Sequence, residues 1–146
     1  MKSRILMASV TAVMMIAATL YAEDKLEGVK CIISGKAVKA DKTVDYKDGK
    51  VYFCCENCPK SFDAAKHGTA ANHQLVVTKQ FVQKACPVTG KDTDASTGIK
   101  VNGTEVVFCC NNCKGAVSKK EGKEQAEAVF GEAAFKKAFV KAEKKS

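Results

Sequence analysis

One pattern constrains this chain more than any other. The stretches "VYFCCENC" (Val51–Cys58) and "VVFCCNNC" (Val106–Cys113) each run from apolar residues into a cysteine pair, two spacers and a third cysteine. A further cysteine, Cys31 or Cys86, precedes each stretch. The eight cysteines form two sets: Cys31, Cys54, Cys55, Cys58, and Cys86, Cys109, Cys110, Cys113. Each member of the second set lies 55 residues after its counterpart, with no gap. At the same offset Gly35 meets Gly90, Lys36 meets Lys91, Phe53 meets Phe108 and Asn57 meets Asn112. This is an internal duplication, and a repeat sets the architecture before any other feature.

Each copy reads in one order: cysteine, glycine-bearing turn, strand, tight turn, strand, thiol cluster, helix. The pairs Asp48-Gly49 and Asn102-Gly103 mark two-residue hairpin turns, whose central positions both need positive φ. Their places differ by one residue between copies, which predicts hairpins of slightly different register. After the first cluster, "PKSFDAAKHGTAAN" predicts a helix started by Pro59. After the second, "KGAVSKKEGKEQAEAVF" and "GEAAFKKAFVKAEKK" predict two helices divided near Gly131, with Phe135 and Phe139 on one face. The intervening "HQLVVTKQFVQKA" (73–85) reads as a strand or extended linker. The expected fold class is α+β: two tandem small units of β-hairpin plus helix, with a helical C-terminal tail. The expected boundaries are 23–72 for the first unit, 73–85 for the linker or strand, and 86–146 for the second unit with its extension. A unit of this size with few aromatic side chains buries little core and needs a metal or cross-links to hold it.

Residues 1–22 have the layout of a secretory signal peptide: Lys2 and Arg4, an uncharged stretch from Ile5 to Leu20, then small residues to Ala22. The uncharged stretch falls short of the roughly 20 residues that a spanning helix needs, so export is favoured over a retained anchor, and a periplasmic or secreted location is expected. Removal of the segment takes Lys2 and Arg4 and lowers the formal net charge from +8 to +6. The remaining positive charge is all lysine, and it is scattered except in the tail "KKAFVKAEKKS". That pattern reads as a solvated surface, with no nucleic-acid partner expected. The four methionines all lie in the signal segment. The soft-ligand chemistry of the mature chain is therefore almost purely thiol.

Within each copy the first cysteine precedes a turn, "CIISG" or "CPVTG", and the others sit where a hairpin ends and a helix begins. A helix N-terminus suits thiolates, because its free N–H groups stabilise negative charge. Folding the hairpin back brings the distant cysteine to the same point and gathers three or four sulfurs. Tetrahedral zinc wants such a set, and copper(I) accepts three. Cys31, Cys54 and Cys58 form the expected core of one site, with Cys55 as fourth ligand or spare thiol. Cys86, Cys109 and Cys113 form the other, with Cys110 extra. Each repeat would hold one ion, zinc by default, or another thiophilic ion such as copper(I).

The spacing C-x22-C-x3-C, ending in "YFCCENC" or "VFCCNNC" before a helix, resembles the TRASH and YHS domains. These are small treble-clef-like modules linked with the trafficking, resistance and sensing of heavy metals. The resemblance covers Cys31–Phe62 and Cys86–Val117. It implies treble-clef-like units whose thiol ligands are Cys31, Cys54 and Cys58, then Cys86, Cys109 and Cys113. Family members often carry serine where this chain has Cys55 and Cys110. Related ribosomal zinc fingers place a second cysteine three positions after the first, where this chain has Ser34 and Thr89. That departure makes Cys55 and Cys110 the natural fourth ligands.

Other readings compete. Oxidising compartments preserve disulfides, and four thiols per unit pair off evenly. But secreted disulfide frameworks usually spread their cysteines, whereas these are crowded. "CENC" and "CNNC" are also C-x-x-C motifs able to exchange disulfides, yet the βαβ context of a thioredoxin-like enzyme is not evident. His67 and His73 have no counterparts in the second copy and read as surface residues. Asn57 and Asn112 read as turn residues tolerant of unusual backbone angles. Gly35 and Gly90 serve the turn after the first cysteine, and Phe53, Phe62, Phe108, Phe130, Phe135 and Phe139 are the expected core. The resulting expectation is a non-enzymatic, exported metal-binding protein. The alternative is an interaction module that its cysteines merely staple, and a dithiol redox protein ranks third.

Overall fold

A computed structural model describes residues 26–143. The expected signal peptide, 1–22, lies outside these residues. The fold is mixed α and β, built from three two-stranded antiparallel sheets and five helices among the described residues. The first copy comprises β1 (Lys39–Tyr46), β2 (Gly49–Phe53), α1 (Asn57–Lys60), α2 (Ala64–Val77) and β3 (Phe81–Gln83). The second comprises β4 (Asp94–Val101), β5 (Thr104–Phe108), α3 (Asn111–Ser118), α4 (Gly122–Phe130), α5 (Glu132–Ala138) and β6 (Phe139–Lys141).

The two hairpins have the same register, not the offset one expected from their turn pairs. Val44 pairs with Val51 and Ile99 with Val106, and both ladders shift at the same place, after Lys39 and after Asp94. The turn residues of the first hairpin are Lys47 and Asp48, both at positive φ, and those of the second are Asn102 and Gly103. Gly49 is thus the first residue of β2 and not part of the turn. Its glycine answers to packing. A Cβ there would stand 2.8 Å from Leu75 Cδ2 and 2.9 Å from Gln80 Oε1.

The helix expected from Pro59 is divided. Asp63 leaves helical geometry and its side chain accepts the Ala65 N–H at 2.9 Å, which starts α2 afresh. Phe62, at the break, turns inward against Tyr46 and Phe53. Once started, α2 runs through 73–77, the first part of the segment expected as linker or strand. Ala71, Leu75 and Thr78 are buried on one side of it. It ends in a Schellman arrangement: Gln80 N–H donates to Leu75 O and Lys79 N–H to Val76 O, with Lys79 at φ +59°.

The C-terminal tail is helical only as far as Ala138. The helices divide at Gly131 as expected, but Phe139 begins β6, which pairs with β3 through Val82 and Val140. Phe135 and Phe139 still stack, 5.2 Å between centroids. The stretch beginning at Lys114 likewise divides, at the end of α3.

The length of α2 and the β3–β6 pairing share one cause: the copies pack against each other and are not independent beads. Leu75 and Phe81 from the first copy enter the main core with Val106, Phe108, Val129, Phe130 and Phe135. A smaller cluster in the first copy holds Val51, Phe53 and Ala71 with Cys31 and Cys58. Glutamine side chains cover the open strand edges, because a side-chain amide donates and accepts as a neighbouring strand would. Gln74 accepts from Tyr52 N–H at 2.6 Å and donates to Tyr52 O at 3.0 Å. Gln83, on β3, does the same for Val107 of the other copy, at 3.0 and 2.6 Å. His73, expected at the surface, is half-buried at this seam. Its Nε2 lies 2.9 Å from Thr104 Oγ1 and its ring 4.7 Å from that of Phe130. His67 supports the start of α2, its Nδ1 accepting the Asp63 N–H.

Candidate metal centres

Each site is assembled from three local structures. The first is the turn after the leading cysteine. Cys31 N–H donates to Lys36 O at 2.7 Å and Cys31 O accepts from Gly35 N–H at 2.8 Å. Cys86 repeats this with Lys91 at 2.8 Å and Gly90 at 2.7 Å. Gly35 and Gly90 sit at φ +71° and +75°, where a side chain is disfavoured. The second is the hairpin. Its second strand ends at Phe53 or Phe108, so the cysteine pair lies past the ladder, where the chain has turned. That turn removes the alternation of faces that would part neighbouring residues on a strand. The third is the following helix, whose first turn carries Cys58 or Cys113. Asn57 and Asn112 lie in these first turns and have no positive φ, contrary to the turn role expected of them.

The outcome is two sulfur trios. Cys31, Cys54 and Cys58 lie with all sulfurs within 4.8 Å of one another, and so do Cys86, Cys109 and Cys113. The Cys54–Cys58 separation is 3.7 Å and the Cys109–Cys113 separation 3.6 Å. A tetrahedral zinc–thiolate centre, with bonds of about 2.3 Å, has edges of about 3.8 Å. One edge of each trio is therefore already at metal–thiolate spacing, and the other edges lie within 4.8 Å. Two members of each are buried and the third is half-buried. No disulfide joins the eight cysteines. Cys55 and Cys110 stand beside the trios and not within them, 3.3 Å from Cys58 and 3.8 Å from Cys109.

The surroundings polarise the thiols. Burial opposes the Cys31 thiolate, but the Ser34 N–H and hydroxyl, with further backbone N–H groups, outweigh it and bring Cys31 from 9.0 to about 6. Cys86 is lowered to about 7 in the same way, against burial, by the N–H groups of Thr89 and Cys109 and the Thr89 hydroxyl. Cys55 is lowered to about 7 by the Cys58 thiol and by N–H groups of the first turn of α1. The Cys113 N–H holds Cys110 below its ordinary value. One member of each set carries the compensating cost. Cys58 is pushed up to about 12 by its bond to Cys55 and by burial, and Cys113 to about 12 by burial and by Cys109. Sulfurs in such an arrangement would gain from sharing a cation, which would remove protons from all of them.

Sequence reasoning missed the part played by Ser34 and Thr89, noted there only as lacking a cysteine. Ser34 Oγ lies 3.0 Å from Cys54 Sγ, and Thr89 Oγ1 lies 3.2 Å from Cys109 Sγ. The signal was present: the two hydroxyl residues stand at the repeat offset of 55.

Among the described residues no helix is long and apolar enough to cross a membrane. Comparison with protein-family models, with curated proteins and with solved structures returns no match.

Proposed function

We propose that this is an exported, non-enzymatic protein that holds one thiophilic ion in each of two tandem units, for buffering, trafficking or resistance. The observation that carries the reading is the pair of sulfur trios, each with two buried members, repeated at identical places and with all sulfurs within 4.8 Å of one another. Zinc is the default ion. Copper(I), cadmium or mercury suits a trafficking or resistance role, since thiolate sites favour soft ions. The cysteine spacing and its likeness to TRASH and YHS domains support treble-clef-like units, and the N-terminal segment supports export to the periplasm or beyond. The partners are metal ions and, for a carrier, a protein that donates or accepts them. Neither nucleic acid nor membrane insertion enters this reading.

A second reading has its own support: Cys86 and Cys113 belong to the main core cluster, which is where a structural staple would sit. The experiment is made on mature protein recovered without reductant. Free thiols are counted under denaturing conditions with and without chelator, and bound metal is measured by elemental analysis. About two ions per chain with unbridged thiols is the expected result. Circular dichroism during chelator treatment then separates the readings. A carrier gives up its ions and stays folded, whereas a stapled scaffold unfolds as it loses them. No metal and no free thiols would leave a disulfide-stapled scaffold and overturn the proposal.

A further inference from the structure

The sets of mutually close sulfurs stop at three in both copies, yet a fourth sulfur stands at the same place beside each. Cys55 Sγ is 3.3 Å from Cys58 Sγ, and Cys110 Sγ is 3.8 Å from Cys109 Sγ. Inside the trios, Cys31, Cys58, Cys86 and Cys113 are 3%, 7%, 0% and 7% exposed, so a bulky thiol carrier cannot reach them. Cys55 is half-buried and Cys110 is exposed. The third trio member, Cys54 or Cys109, is half-buried and already has a hydroxyl beside it, from Ser34 or Thr89.

We propose that Cys55 and Cys110 are entry thiols. They take a soft ion from a thiolate-bearing carrier and pass it into the trio, and they are not resting ligands. The inference rests on the reading of the trios as metal centres. Soft ions move between thiolates by substitution, in which an incoming sulfur bonds before an outgoing one leaves. Such a step needs an accessible sulfur close enough to a trio sulfur for a single ion to touch both. Separations of 3.3 and 3.8 Å meet that need, being near the edge of about 3.8 Å expected for two sulfurs on one ion. In the second copy, Cys110 forms a sulfur–metal bond as one carrier bond breaks, and its thiol proton goes to the departing carrier thiolate. For an ion delivered on three carrier sulfurs, Cys109 and Cys86 then displace the two that remain and Cys113 displaces Cys110, each incoming thiol passing its proton to the sulfur it displaces. No oxidation state changes. Because Cys110 is more exposed than Cys55, the second centre loads first.

The test uses the mature chain and the variants Cys110→Ser, Cys55→Ser and their combination. Cadmium is the probe, offered as its complex with excess glutathione, and loading is followed by thiolate-to-metal absorbance. Affinity is measured separately by chelator competition at equilibrium. All forms are expected to bind two ions per chain, with affinities within about threefold of one another. Loading of the double variant should be slower by about tenfold or more, and Cys110→Ser alone should remove the faster of two phases. A fall in affinity of about a hundredfold would make Cys55 and Cys110 ligands and overturn the inference, while leaving two thiolate centres. Unchanged rates would overturn it equally. Failure of the unaltered chain to bind cadmium would overturn both this inference and the function it rests on.

Discussion

Gly49→Ala tests why the two hairpins share one register. The added methyl would lie 2.8 Å from Leu75 Cδ2 and 2.9 Å from Gln80 Oε1. Leu75 is fully buried and has little room to retreat. Gln80 can move only by giving up Lys50, whose N–H it accepts at 2.7 Å and whose C=O it donates to at 2.8 Å. Overpacking costs about 1–3 kcal/mol, and each lost hydrogen bond about 1 kcal/mol. The protein should relax by the cheaper route, at about 2 kcal/mol. In a chain of this size that lowers Tm by about 8 °C, read by far-ultraviolet circular dichroism on reduced, metal-free protein. Gly103→Ala is the contrast. Its Cβ meets nothing within 4 Å, and it pays only for a backbone φ of +81°. The two are separated by combining each with Leu75→Val. Gly49→Ala should couple to that change by about 1 kcal/mol, because the shorter side chain makes room, whereas Gly103→Ala should be additive. Additivity at Gly49 would refute the packing argument.

Other expectations are as direct. Gln83→Ala strips the edge cover from Val107 and should cost about 2 kcal/mol, with faster amide exchange at Val107 as its local signature. Lys79→Gly relieves the left-handed residue that ends α2 and should stabilise by up to about 1 kcal/mol, read as a rise in Tm. In reduced, metal-free protein, Cys31 is lowered from 9.0 to about 6, so its contribution is complete above pH 9 and lost as pH falls through 6. Cys58 is raised from 9.0 to about 12, so its contribution is present below pH 9 and lost as pH rises towards 12. The thiol-linked part of stability should thus peak near pH 9. In denaturant titrations Cys31→Ser should shorten its acid limb, leaving the shares of Cys55 and Cys86, which are lost as pH falls through 7. Burial lowers the pKa of His73, so folding should weaken as pH falls below 6.5, and His73→Gln should remove that dependence.

Much of the site was legible because it is local. Thiol identity, the offset of 55 and the glycines after Cys31 and Cys86 are properties of short segments, and each segment folds much as its own residues dictate. Two helix ends were less legible for the opposite reason. Nothing in "HQLVV" distinguishes strand from helix until Leu75 has a core to enter, and that core belongs to the other copy. Phe139 likewise carries helical spacing from Phe135, yet β3 supplies it with a strand partner.

The sequence by itself pointed to two copies of one unit, each gathering a core of three thiols at a hairpin–helix junction, and it left the places of Cys55 and Cys110 open. Tertiary structure alone decided the turn pair Lys47–Asp48, the length of α2, the β3–β6 sheet and the glutamines that cover open strand edges. It also decided that Cys55 and Cys110 stand beside the trios and not inside them. The physical reason is range. Turn geometry and ligand chemistry are set over a few residues, whereas steric clash at Gly49, edge cover by Gln83 and the closing distances among sulfurs exist only once distant segments have packed.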